Sequence, residues 1–188
     1  MKRLAVAMAL AGIGLTAQAA VQIEDIRYED TIVMEQRQLV LNGAGLRKKV
    51  FFKVYSAGLY LGQKASSVDA VMAQSAPVRV QLGLLRNVSA SSFVDALKDG
   101  LMDNSTPAQQ KEIASELNAL IDVMNKIGDV KVGDLINFDF SATKGTCVSL
   151  NGRMIGEGIG GKALYDAVLR IWLGPKAIDD TLKRALIP

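Results

Sequence analysis

Arg47 is the residue in this sequence whose type and setting best suit holding or polarising an anion. It closes the run Asn42-Gly-Ala-Gly-Leu-Arg47. A guanidinium stays charged and offers a planar fork of donors to an oxyanion. The run contains neither GxGxxG nor a GxxxxGK phosphate-loop pattern, and no helix follows to aim its N-terminus at a phosphate. Taken by itself, an arginine after a glycine turn is more often exposed or salt-bridged than bound to a ligand. Other chemistry is scarce. The chain has no histidine, which excludes histidine triads, histidine general bases and the commonest metal ligand. Its one cysteine, Cys147, leaves no intramolecular disulfide. Cys147 lies in the alternating run Gly145-Thr-Cys-Val-Ser-Leu150 and reads as a buried structural thiol, with no activating partner in sight. Asp179 and Asp180 are adjacent and diverge in direction, so one reads as a helix N-cap rather than half of an acid–base dyad. No metal ligand set and no cofactor is expected.

The N-terminus sets the compartment. Lys2 and Arg3 precede an uncharged apolar stretch from Leu4 to Thr16, and Ala17-Gln18-Ala19 supplies the small-x-small pattern of a cleavage site. The stretch falls short of the roughly 20 apolar residues of a membrane span. Residues 1–19 therefore read as a signal peptide and residues 20–188 as one exported domain, periplasmic or secreted, with no membrane span after cleavage. An uncleaved N-terminal anchor is the alternative. No cysteine follows the cleavage site, so there is no lipoprotein attachment point. The formal charge of +3 falls to +1 without Lys2 and Arg3, which argues against a nucleic-acid partner.

The elements that must position these residues follow from hydrophobic period and turn chemistry. Thr31–Glu35, Gln38–Asn42, Val50–Tyr55, Gly58–Leu61 and Val78–Leu82 read as strands, with Asn42-Gly43 as a turn between two of them. Ser66 to Gln74 fits a short capped helix. Ser89 to Met102 places Phe93, Ala96, Leu97, Gly100 and Leu101 on one helical face. Thr106-Pro107 opens a second helix whose apolar stripe runs to about Ile127. Gly133–Phe140 and Gly145–Leu150 are strands, and Asn151-Gly152 turns the second into Arg153–Ile155. Gly161 to Leu173 is a helix with Leu164, Val168, Ile171 and Trp172 on one face, stopped by Gly174-Pro175. Asp179 to Leu186 is a short last helix. This order is α+β, with a mainly antiparallel sheet.

Three segments carry a resemblance. The first is Asn42-Gly-Ala-Gly-Leu-Arg47 with the strand that ends Tyr55-Ser-Ala-Gly-Leu-Tyr-Leu61. The second is Arg86-Asn-Val-Ser-Ala-Ser-Ser-Phe-Val-Asp-Ala-Leu97. The third is Gly158-Ile-Gly-Gly-Lys-Ala-Leu-Tyr-Asp-Ala-Val-Leu-Arg-Ile-Trp-Leu-Gly174, with Ala177-Ile-Asp-Asp-Thr-Leu-Lys183 after it. Together the chain resembles the chalcone isomerase-like family over most of its length, and its exported bacterial branch more than the plant enzymes. The resemblance implies an open-faced β-sandwich, an antiparallel sheet covered by a layer of helices, with a ligand cleft between them. Plant members cyclise chalcones, and related plastid proteins bind fatty acids. The family's arginine falls at Arg47, where it would polarise a substrate or hold a carboxylate. The catalytic threonine of the next strand falls at Tyr55, the catalytic tyrosine at Phe93, the asparagine near Gly100 and a late threonine around Ile178–Asp179. The arginine is retained and the hydroxyl network is replaced.

The resemblance thus implies a non-catalytic binding module for a small hydrophobic, amphipathic or acyl ligand of the fatty-acid type, with Arg47, Tyr55 and Phe93 lining the cleft and Arg47 on the charged end. Tyr55 and Tyr60 are equally consistent with core positions, and Arg86 with a solvated strand end or a second cation at the cleft mouth. Two other readings stand beside it: an intramolecular lyase of the chalcone isomerase type, resting on fold and Arg47, and a periplasmic interaction protein with a vestigial cleft.

Overall fold

The computed structural model describes residues 20–75 and 77–188; the leader expected over residues 1–19 lies outside them. Alternation of period two builds the frame. In β6 (Val78–Leu84) the side chains of Val78, Val80, Leu82 and Leu84 enter the main core, while Arg79 and Gln81 take the other face. Its neighbours repeat the pattern. The seven-stranded sheet runs β3 (Thr31–Met34), β4 (Arg37–Lys49), β5 (Phe52–Leu61), β6, β7 (Leu135–Ser141), β8 (Gly145–Leu150) and β9 (Arg153–Gly156). Every pairing is antiparallel, and spatial order equals chain order.

Helices cover the inner face. α1 (Val68–Met72) links β5 to β6. α2 (Ala90–Asp103), α3 (Pro107–Glu112) and α4 (Ala114–Ile127) lie between β6 and β7. α5 (Lys162–Leu173) and α6 (Asp180–Leu186) close the chain. α5 is buried along most of its length, from Leu164 to Leu173, because α2 packs on it from one side and the sheet from the other. The helix starts are set locally. Ser89 accepts from the Ser92 N–H, Thr106 and Gln109 form a reciprocal capping box, and Asp179 accepts from the Thr181 and Leu182 N–H groups.

A two-stranded ribbon, β1 (Ala20–Ile23) with β2 (Ile26–Glu29), lies on the opposite face of the sheet. Ile26 and Tyr28 form a second, smaller core with Leu39, Leu41 and Tyr60, and the Tyr28 hydroxyl bonds Ser56 at 2.7 Å. Gly58 and Gly83 make this approach feasible, since a Cβ on either would collide with Tyr28 or Ile26. Elsewhere on this face the polar side chains pair with each other. Arg79 grips Asp139 through two bonds of 2.7 and 2.6 Å, and Asn137 joins Gln81 to Ser149.

The strands and helices expected from sequence are present, with four differences. Asn42-Gly43 is not a turn. It lies inside β4 at a β-bulge, where the pairing shifts between Leu41 and Gly43. Tertiary contacts override the turn signal: the buried Asn42 amide ties Ala65 and the Leu186 carbonyl to the strand, and Gly43 lets α6 pass directly over it. Val50 and Phe51, expected in a strand, form the turn between β4 and β5. The helix expected from Thr106 to Ile127 is broken at Ile113, which caps α3 and precedes α4. The ribbon β1–β2 had no sequence signal strong enough to read, because its residues 22–25 are mostly polar.

Candidate ligand-binding site

Between the inner face of β4–β6 and helices α2 and α5 lies a cleft of 440 Å³. This volume falls within the roughly 300–1,000 Å³ common to small-molecule sites. Arg47, Tyr55 and Phe93 all line it, together with Leu82, Leu84, Leu97 and Trp172. Register explains the first two: Arg47 and Tyr55 are Cα partners across β4 and β5 and so share a face. The Arg47 guanidinium carbon sits 5.4 Å from the Tyr55 ring centroid, within cation–π range. Phe93 projects from the first turns of α2, and Trp172 from the end of α5.

Two donors in this wall are unspent. The buried Nε of Arg47 has no hydrogen-bond partner. The Tyr55 hydroxyl accepts a 2.8 Å bond from the Trp172 indole N–H. An indole can only donate, so that bond uses a lone pair of the phenol and leaves the phenol's own proton for another acceptor. Burial pushes the Tyr55 phenol up to about 12 against opposition from the Arg47 charge and the indole bond, with a smaller upward push from Asp179. The hydroxyl is therefore neutral and protonated at physiological pH. Arg47 and Tyr55 together can meet a carboxylate or carbonyl oxygen with a cation and an O–H donor, while the rest of the wall is largely apolar. The buried Nε is out of reach of a water-sized molecule, so the groups that a ligand oxygen can meet are the guanidinium's terminal N–H donors and the Tyr55 O–H.

Asp179 holds the arrangement from outside. Its carboxylate caps α6 and also accepts the Lys48 N–H at 3.1 Å, fixing the helix to β4 beside Arg47. This is the N-cap expected of the Asp179-Asp180 pair. Lys49 and Arg86 stand at the cleft wall as well; Arg86 is exposed and lies 5.3 Å from the Phe52 ring centroid. Gly100 contributes no polar group, because a side chain there would meet Ile171 where α2 crosses α5.

Sequence reasoning placed Trp172 only on a packing face and missed its bond to Tyr55. The signal available was its type, since a buried indole N–H needs an acceptor. Cys147 is buried, with Sγ 3.6 Å from the Gly145 carbonyl, and burial raises its thiol above the ordinary value, away from reactivity. No cluster of acidic or cysteine side chains among the described residues could hold a metal, and no helix among them is long and apolar enough to cross a membrane.

A family model described as chalcone isomerase-like matches residues 20–187. No curated protein matches the sequence. Among solved structures, the chain is similar to a fatty-acid binding protein of Arabidopsis thaliana, with a TM-score of 0.70 and 14% sequence identity over 90% of this chain and 96% of that one. At this identity the likeness is one of fold: an antiparallel sheet with helices against it, the open-faced sandwich that the three sequence segments implied.

Proposed function

This chain belongs to the chalcone isomerase-like family, and from that premise we propose that it is an exported, non-catalytic carrier of a fatty-acid-like ligand. The observation that carries the reading is Arg47, a cation with no ion pair among the described residues, standing with the Tyr55 hydroxyl in the wall of an otherwise largely apolar cleft. The carboxylate of the ligand meets Arg47 and the Tyr55 hydroxyl, and its chain lies along Phe93, Leu82 and Leu97. Each methylene removed from water contributes about 0.8 kcal/mol, so a long chain binds usefully even where polar contacts are few. The solved relative in Arabidopsis thaliana is a fatty-acid binding protein, which supports the ligand class. Loss of the tyrosine hydroxyl at Phe93 and of the asparagine amide near Gly100 supports binding without turnover, since one missing oxyanion donor already costs about 10²–10³ in rate. The leader at residues 1–19 supports export to the periplasm or beyond, and membership of the family's exported bacterial branch.

Native mass spectrometry of the wild type and Arg47→Ala, purified gently from a periplasmic extract, tests the proposal. A small acyl compound on the wild type, depleted in the variant, is the expected result. Both proteins emerging empty, with no fatty acid bound in titration, would overturn it. Turnover of a chalcone that disappears in Arg47→Ala would replace it with the lyase reading.

A further inference from the structure

The turn between β4 and β5 exposes three consecutive apolar residues beside the cleft: Val50 at 78%, Phe51 at 92% and Phe52 at 63%. Folding does not explain Val50 and Phe51, and it gives Phe52 only the Arg86 guanidinium over its ring at 5.3 Å. Phe51 is almost entirely in water, and Val50 holds φ at +58°, a left-handed conformation that a β-branched residue adopts only with strain and that glycine or asparagine would take more easily. The cations around them are concentrated and largely unpaired. Lys48, Lys49 and Arg86 make no ion pair among the described residues, while Lys53 is matched by Glu24 at 2.7 Å. Residues 20–188 carry a net charge of only +1, so this is a local feature and not general basicity.

We infer that the β4–β5 tip docks on the surface of an anionic lipid bilayer, with Phe51 and Phe52 entering the interfacial region and Lys48, Lys49 and Arg86 on the headgroups. Exposed aromatics flanked by unpaired cations match that surface chemically, each cation near it adding about 1 kcal/mol of attraction. A second copy of the chain does not fit as well, because a two-fold contact through this tip would set the same cations face to face. A narrow convex turn also offers far less than the roughly 800 Å² that each partner gives to a stable protein interface. Lys49 and Arg86 belong to both the tip and the cleft wall, so docking brings the cleft mouth against the lipid. The inference stands whatever the cleft holds.

The experiment uses the protein from Ala20 onward, which carries every element of both cores and lacks the apolar leader that would bind lipid by itself. It is sedimented with phosphatidylcholine vesicles, with and without phosphatidylglycerol, at low and high salt. Binding only to the phosphatidylglycerol vesicles, and lost at high salt, is expected. Phe51→Ser should lower the partition coefficient at least about tenfold, the scale of one phenyl ring withdrawn from an apolar phase. Lys49→Glu should lower it at least about fivefold, as one cation is removed and an anion introduced. Phe51 is too exposed for its loss to unfold the protein, and an unchanged melting temperature checks this. Three results would each overturn the inference: no binding to phosphatidylglycerol vesicles at low salt, equal binding to phosphatidylcholine alone, or binding unaltered in Phe51→Ser. Self-association abolished by Phe51→Ser without vesicle binding would assign the tip to a second copy instead. The readout is sedimentation of protein, loaded or empty, so a negative result here leaves the cleft proposal untouched, and the reverse holds as well.

Discussion

At Arg47 the decisive fact is the pairing of charge with an unused hydrogen-bonding direction. A surface arginine satisfies its donors with water at no cost, whereas Arg47 Nε is out of water and without a partner. The consequence for affinity is direct. Arg47→Ala should weaken binding of a long-chain fatty acid about 10- to 100-fold, the range of a charge-assisted hydrogen bond, as measured by calorimetric titration. Arg47→Lys should fall between, because it keeps the charge and loses the fork. Equal affinity in all three proteins would remove Arg47 from the site. Trp172 gives an independent readout. It is the only tryptophan, it lines the cleft, and its N–H is bonded to Tyr55. Its emission should change on addition of the fatty acid, and the concentration for half the change should rise in Arg47→Ala by the same factor as the calorimetric constant.

At the scale of elements, β4 shows what sequence could and could not disclose. Its thirteen residues join three structural duties: Leu39 and Leu41 serve the outer core, Asn42 and Gly43 receive the chain's C-terminal end, and Arg47 serves the cleft. Asn42→Ala would remove bonds of 3.0, 2.7 and 2.7 Å to Ala65 and Leu186. It should cost about 3 kcal/mol in urea denaturation, since the partner groups are left in a buried setting. Gly43→Ala drives a methyl group into the Ala185 and Leu186 carbonyls, which are backbone and cannot swing aside. A loss of at least about 2 kcal/mol is expected, from overpacking. If both variants melt like the wild type, α6 is not seated on β4 as described. None of this was readable locally. Asn-Gly is the strongest short-range turn signal, and contacts with Ala65, 23 positions away, and with Ala185 and Leu186, more than 140 away, reverse it. Packing outside the segment likewise hides the β1–β2 ribbon, whose apolar partners Leu39, Leu41 and Tyr60 lie on β4 and β5, and no glycine or proline marks the break at Ile113. Where structure is decided within one turn, the sequence was sufficient or nearly so: the Thr106 cap, a cap from one of the Asp179-Asp180 pair, the Asn151-Gly152 turn, and α5 stopped by Gly174-Pro175. The cleft was legible to the same extent. Arg47, Tyr55 and Phe93 could be placed through the family resemblance, whereas the Trp172 bond needed the packing of α5 against β5.

Across the whole molecule, the two cores share one sheet and divide the four tyrosines between them. Tyr28 and Tyr60 lie in the outer core, Tyr55 and Tyr165 in the inner one, and all four are buried. Burial raises every one of these phenols above the ordinary value of 10: Tyr55 and Tyr60 to about 12, Tyr28 higher still, and Tyr165 well above 10. In the unfolded chain the same groups lose their protons near the ordinary value. Between those limits the folded state therefore holds more protons than the unfolded one. Stability is complete below pH 10 and falls as pH rises. Each phenol contributes a slope of about 1.4 kcal/mol per pH unit, so four acting together reach about 5 kcal/mol per unit. The full slope lasts only up to about pH 12, where Tyr55 and Tyr60 lose their protons in the folded state too, so it removes up to about 10 kcal/mol, which is comparable to a typical stability of about 5–15 kcal/mol and brings unfolding into that range. Because a single sheet backs both cores, tyrosinate absorbance and loss of circular dichroism should coincide in one steep transition. Tyr60→Phe should make that transition shallower by about a quarter and move it to higher pH, as one of the four linked groups is removed. A graded tyrosinate signal centred near pH 10 with native circular dichroism would show the phenols to be accessible and the burial wrong. Two separate transitions would mean that the outer ribbon peels away first, leaving the inner core and its cleft to unfold alone.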